Sequence, residues 1–274
     1  MRWNTFLALA VLAAGVPALA SAFVQDGCGA GDCRSCHSLS KSEAEGILKG
    51  LVHEVLSVEF SDVPGLWVVD VEDQRGRRGP VYIDFSKRYV ITGSVVEVAT
   101  RENLTRRRMI ELNRIDPSQI PLDDALVIGD PAAEKKIVVF TDPDCPYCRK
   151  LHPELRKVVE RRPGVAFYVK MFPIKKTSRE KAKTIVCTRS LELLDRAMEG
   201  KEIPPPGCET DQIEKNLQLG RSIGVRSTPT LVFPDGRVIP GAKPADKILL
   251  LLDEGTNPSR QESRRAGPVR PVSR

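Results

Sequence analysis

The sequence predicts an α+β chain of two domains, a small α+β module and a larger α/β/α domain, joined by a charged linker helix. Three observations carry that reading. The apolar run Ile137–Phe140 reads as a buried strand leading into Leu151, Leu155, Val158 and Val159 at helical spacing, so Cys145 and Cys148 fall at a strand-to-helix junction. A second apolar strand, Thr230–Phe233, opens behind Pro229 and closes on the turn Pro234-Asp235-Gly236. Ahead of both, residues 66–98 alternate apolar and polar positions in part, behind a short amphipathic helix. With 274 residues, 41% hydrophobic and 28% charged, the chain can bury two modest cores.

From the N-terminus, Arg2 precedes an apolar run from Phe6 to Val16, then Pro17 and Ala20-Ser21-Ala22, which reads as a secretory signal over residues 1–22 cleaved near Ala22. The run is short for a bilayer span and no later segment is apolar enough to cross, so export is expected and the cysteines can oxidise. Residues 23–41 hold Cys28, Cys33, Cys36 and His37. Cys33-Arg-Ser-Cys36-His37 matches the attachment motif of a c-type haem, which would make the protein an electron carrier. The same four side chains could bind zinc as a Cys3His set. A structural or intersubunit disulfide ranks first, because a small β module follows at once and leaves little chain to enclose a porphyrin.

Residues 42–100 form the small module. Ser42 and Glu45 suggest a capping box, and Ala44, Ile47, Leu48, Leu51 and Val55 one apolar helix face. Strands are expected at Leu66–Val71, Val81–Phe85, Tyr89–Thr92 and Ser94–Val98, with a turn at Gly76–Gly79 separating the first two. So small a sheet buries little surface alone and should pair, with a second copy or with its own larger domain. Residues 101–123 supply the linker helix, Asn103–Arg114, ending before Pro117; its Arg106, Arg107 and Arg108 read as a solvated face and not as a nucleic-acid site. Residues 124–255 form the larger domain, with a helical insertion at about 175–222 carrying Ala182, Ile185, Val186, Leu193, Leu194 and Ala197 on an apolar face. The arginine-, proline- and serine-rich residues 256–274 read as disordered. The net charge of +6 owes much to linker and tail and implies no particular partner.

Chemistry concentrates at Cys145-Pro146-Tyr147-Cys148. A helix start presents unsatisfied N–H groups and the positive dipole end, which favour a thiolate, and Pro146 suits the first turn. By itself such a pair is a structural bridge or half a zinc site. About eighty residues on, Thr228-Pro229 stands at the mouth of the second strand. A proline there is often cis, though it can also be a plain strand starter.

With Phe140-Thr-Asp ahead of the pair, Lys150-Leu-His152 behind it, the strand Tyr168–Pro173, the Thr228-Pro229 loop and the N-terminal module, the chain resembles bacterial periplasmic disulfide isomerases of the DsbC and DsbG type. The resemblance covers most of residues 46–253. It implies a thioredoxin-like catalytic domain and a cystatin-like dimerisation module, with two sites facing a shared apolar cleft in the homodimer. It makes Cys145 the nucleophile and Cys148 the resolving thiol, and lays Thr228, Pro229, Pro146 and Tyr147 against the client. It implies a structural disulfide between Cys187 and Cys208, no cofactor, misoxidised exported proteins as clients and a membrane thiol reductase of the DsbD type as electron donor, all in the periplasm. Pro146 stands where those isomerases usually have glycine, and Val139 where thioredoxins carry a buried acid. His152 is expected to be a surface histidine packed on its helix. A monomeric reductase for a narrow client set, such as apocytochromes, is the alternative.

Overall fold

The computed structural model describes residues 36–256. The expected signal peptide, Cys28, Cys33 and all but the first residue of the expected tail lie outside the described residues.

Helix α1 (Lys41–Ile47) begins at Ser40, whose hydroxyl accepts from the Glu43 amide at 3.2 Å while the Glu43 carboxylate accepts from the Ser40 amide at 2.8 Å. The capping box thus lies two residues before the expected Ser42 and Glu45. The helix is also shorter than its apolar periodicity suggests. Gly50 adopts φ 81, a left-handed conformation that ends helices. Leu51 is consequently 66% exposed, and Val55 lies on a strand. That strand, β1 (Glu54–Phe60), opens an antiparallel meander with β2 (Leu66–Glu72), β3 (Arg78–Asp84) and the two-residue β4 (Val90–Ile91). The strand expected at 94–98 does not form; Val96 makes only an isolated bridge to Asn103. Ala44, Leu48, Val55, Trp67, Val69, Val71 and Ile83 form the core of this sheet and its helix.

Helix α2 (Leu104–Leu112) lies against β3, where Tyr82 and Thr105 share a hydroxyl hydrogen bond of 2.6 Å. Its Arg108 corrects the expected solvated face. The guanidinium donates to both oxygens of Asp70 at 2.6 and 2.8 Å and to Glu59 at 3.1 Å. Asp70 is 3% exposed on β2, and a carboxylate so buried needs such a partner.

The second sheet has the order β5-β7-β6-β8-β9, built from β5 (Leu126–Ile128), β6 (Lys135–Thr141), β7 (Val165–Met171), β8 (Thr230–Val232) and β9 (Val238–Pro240). Central β6 and β7 run parallel, with Ile137 beside Phe167, and the other pairs are antiparallel. Strand β7 is buried throughout, as a strand covered on both faces must be. Helix α3 (Pro146–Arg161) crosses from β6 to β7 and packs on α7 (Ala245–Thr256). The insertion between β7 and β8 holds α4 (Arg179–Thr188), α5 (Leu191–Met198) and α6 (Gln212–Ser222). Chain leaving α2 meets the β8–β9 turn, where the Ile115 amide donates to Gly236 at 3.0 Å and Arg114 to the Asp235 carbonyl at 2.7 Å. Gly236 sits at φ 85, and a Cβ there would lie 2.1 Å from the Ile115 carbonyl oxygen. No helix among the described residues is long and apolar enough to cross a membrane.

Candidate active site at the start of helix α3

Strand β6 ends at Thr141 and the chain turns through Asp142-Pro143-Asp144 into α3. Asp142 is 1% exposed, and its carboxylate holds the turn together. It accepts from the amides of Asp144 at 2.9 Å, Ile174 at 2.8 Å and Lys175 at 3.2 Å, tying the loop after β7 to the loop that carries Cys145. Asp144 faces Lys181 at 2.7 Å and Arg149 at 3.5 Å. Burial opposes its ionisation, but these cations outweigh burial and hold the carboxyl below its usual range.

Cys145 occupies the N-cap position of α3 in extended conformation, with no side-chain cap bond and Pro146 following as the first helical residue. Its thiol lies 3.3 Å from the Thr228 carbonyl oxygen, to which it can donate. The Thr228–Pro229 peptide is cis. Cys148, one turn inside, is 1% exposed, and its sulfur accepts from the Asp142 amide at 3.4 Å. Burial pushes the Cys148 thiol up to about 12, and the neighbouring Cys145 adds to the rise; hydrogen bonds from Thr141, the Asp142 amide and Thr228 oppose it. Both sulfurs are unbridged in this structure. Cys145, Cys148, Thr228 and Pro229 therefore come together, while Pro146 and Tyr147 stand exposed on the rim.

His152 departs from expectation. It is 8% exposed, and Nε2 pairs with the Asp195 carboxylate on α5 at 2.6 Å. Arg156 reaches both oxygens of the same carboxylate at 2.6 Å. Burial works against ionisation of Asp195, but Arg156 and His152 hold it below the ordinary carboxylate range. Sequence spacing gives no sign of this triad, because Asp195 follows His152 by 43 residues. Asp142 left a local sign, an Asp before Pro at a strand end, of the kind that organises a turn. Val139 is a buried core residue of β6.

Cys187 at the end of α4 is bonded to Cys208, with Cα atoms 5.8 Å apart. In the N-terminal segment Cys36 is exposed, and His37 packs on Phe85 at 4.5 Å and edge-on to Trp67 at 6.4 Å. That aromatic cluster belongs to the core of the first sheet, and the haem reading gains no support from it. Among the described residues no group of three or more His, Cys, Asp or Glu is placed to hold a metal ion.

A thioredoxin-like domain model matches residues 122–256. The chain is 30% identical over 203 residues to the thiol:disulfide interchange protein DsbC of Dickeya dadantii (strain 3937), covering 72% of this chain and 81% of that protein. It is 32% identical over 170 residues to the probable DsbC of Bordetella avium (strain 197N), and that match spans 60% of the relative's length. Among solved structures, the catalytic domain of Proteus mirabilis ScsC is 27% identical, with a TM-score of 0.43 over 48% of this chain and 89% of that one. On the Dickeya match and on the thioredoxin-like domain that carries Cys145 and Cys148, the chain belongs to the DsbC family of thiol:disulfide interchange proteins, which are thiol–disulfide oxidoreductases.

Proposed function

We propose that the protein reshuffles non-native disulfides in exported proteins, acting in the periplasm after loss of its signal peptide near Ala22. The observation that carries this reading is the approach of Cys145 Sγ to the Thr228 carbonyl oxygen, 3.3 Å, beside the Thr228–Pro229 peptide. Cys145 as thiolate attacks one sulfur of a client disulfide; a new sulfur–sulfur bond forms, the client bond breaks, and its second sulfur leaves as thiolate. The backbone at Thr228 and Pro229 holds the client strand alongside, with Pro146 and Tyr147 at the rim. Two exits follow. A client thiolate attacks the mixed disulfide, forms a different client bridge and returns Cys145 as thiolate, with no net electron change. In the other exit Cys148 loses its proton and attacks Cys145, releasing a reduced client and leaving an oxidised pair.

Burial of Cys148 biases the choice. A thiol pushed up to about 12 holds its proton at neutral pH, so it attacks slowly and gives client thiols time to rearrange. Each reductive exit consumes two electrons, which a membrane thiol reductase of the DsbD type supplies. The first sheet serves as a cystatin-like dimerisation module, pairing through the β4 edge, which leaves Tyr89 and Ile91 exposed. No cofactor takes part in these steps. The test is refolding of a scrambled disulfide protein by wild type, Cys145→Ser and Cys148→Ser. Isomerisation by wild type, none by Cys145→Ser and partial activity in Cys148→Ser is the expected pattern. Reduction alone, by a monomer, would replace it with a narrow-client reductase.

A further inference from the structure

The surface around Cys145 carries a charge pattern that the exchange chemistry does not require. Lys175 donates from Nζ to the Asp144 carbonyl at 3.0 Å, and Lys181 and Arg149 face the Asp144 carboxylate. Lys150 stands over the Tyr147 ring, 5.8 Å from its centre, on the exposed side of α3. Lys176 is exposed at the start of the short 3-10 helix Lys176–Ser178, and Arg226 is exposed two residues before Thr228. Lys175, Lys181 and Arg149 thus contact Asp144 in the loop 142–147, Lys150 contacts Tyr147 at its end, and Arg226 precedes the Thr228-Pro229 loop. The carboxylates within the loop 142–147 are turned inward. Asp142 is spent on three backbone amides and Asp144 on Lys181 and Arg149. The exposed Glu180 lies 3.8 Å from Lys183, on its own helix. Exposed Glu209, Asp211 and Glu214 gather with Glu180 farther along, beside Arg179 and Lys183, whereas the residues flanking the Cys145 loop present exposed Lys150, Lys176 and Arg226 with Tyr147, 60% exposed, and Ile174, 54% exposed.

We propose that this face is a docking surface for client chains whose disulfide is flanked by acidic residues; the proposal rests on the interchange reading above and names its substrate class. Charge complementarity acts before contact. A positive rim raises the encounter rate of an acidic segment by about ten- to a thousandfold at low ionic strength, and salt screens the gain over about 10 Å at 0.1 M. The exposed apolar side chains would then hold an aliphatic or aromatic client residue beside the reacting sulfur. Lysines and arginines next to a client disulfide would be repelled by the same cations.

The test uses the reduced full chain and three synthetic peptides that share one disulfide flanked by glutamates, serines or lysines. Mixed-disulfide formation is timed for each, and every rate is divided by that peptide's rate with dithiothreitol, which removes its intrinsic reactivity. The expected result at low salt is a glutamate-to-lysine ratio of about ten or more, falling towards one in about 0.5 M salt. In Lys150→Glu/Lys176→Glu/Arg226→Glu the ratio should drop below one. Measurable exchange with all three peptides at equal normalised rates overturns the docking surface and leaves the interchange reading standing. No exchange with any peptide overturns both. A glutamate preference that survives the triple substitution overturns the assignment to this rim. Equal peptide rates together with binding of wild type to phosphatidylglycerol vesicles would assign the cations to a lipid surface instead.

Discussion

Cys148 is 1% exposed, and its thiol is pushed up to about 12 from an ordinary 9.0. Below pH 9 both folded and unfolded chains hold this proton. Between pH 9 and about 12 the unfolded chain binds fewer protons, so stability falls as pH rises, by about 1 kcal/mol between pH 9 and 10. Urea unfolding of the reduced protein across that window should show this loss, and Cys148→Ser should lack it. At Arg108 the expectation is a different one. Removing the guanidinium leaves Asp70 buried with only the Ser57 hydroxyl, 2.8 Å away, as compensation. Arg108→Ala should cost about 2–3 kcal/mol, read by the fluorescence of buried Trp67 in the same sheet. The contrast explains which residues sequence reveals. Cys145, Cys148 and Pro229 announce themselves through local spacing and strand-mouth position. Asp70 and Asp195 meet partners 38 and 43 residues away, and only the folded chain brings those charges together.

Among elements, the insertion is tied down at two places. The Cys187–Cys208 bond closes a 21-residue separation, which by chain-entropy arguments is worth about 3 kcal/mol. Cys187→Ala/Cys208→Ala should lose about that much in urea unfolding followed by circular dichroism. The second tie joins α5 to α3 through Asp195, His152 and Arg156. Because folding holds Asp195 below the ordinary carboxylate range, its contribution is present above the unfolded value, 3.8, and lost as pH falls through the folded one. Solvent reaches the pair, so Asp195→Asn should cost only about 1 kcal/mol at pH 7, and the gap from wild type should close in acid. Element boundaries were less legible than element types. The apolar spacing from Ala44 to Val55 continues smoothly across a helix end that Gly50 imposes and a strand start that follows. Val95–Val98 has the composition of a strand, yet no partner strand is beside it beyond the single bridge from Val96.

At the scale of the molecule, two sheets with separate cores are joined by α2, which is docked on β3 through Tyr82 and Thr105 and on β2 through Asp70 and Arg108. The thioredoxin-like sheet was readable because its central strands are continuous apolar runs and its cysteines mark the strand-to-helix corner. The partner of the first sheet was not, since an exposed edge does not name what covers it. If that edge pairs two copies, sedimentation of residues 23–274 should give a dimer, and Tyr89→Lys/Ile91→Lys should shift it to monomer with the catalytic domain intact. The proposed attack by Cys145 is tested most simply by mass spectrometry of trapped mixed disulfides. Reduced Cys148→Ser, mixed with a scrambled disulfide protein and quenched in acid, should carry the client on Cys145. A client bound to another cysteine, or no adduct while wild type still exchanges disulfides, would contradict it.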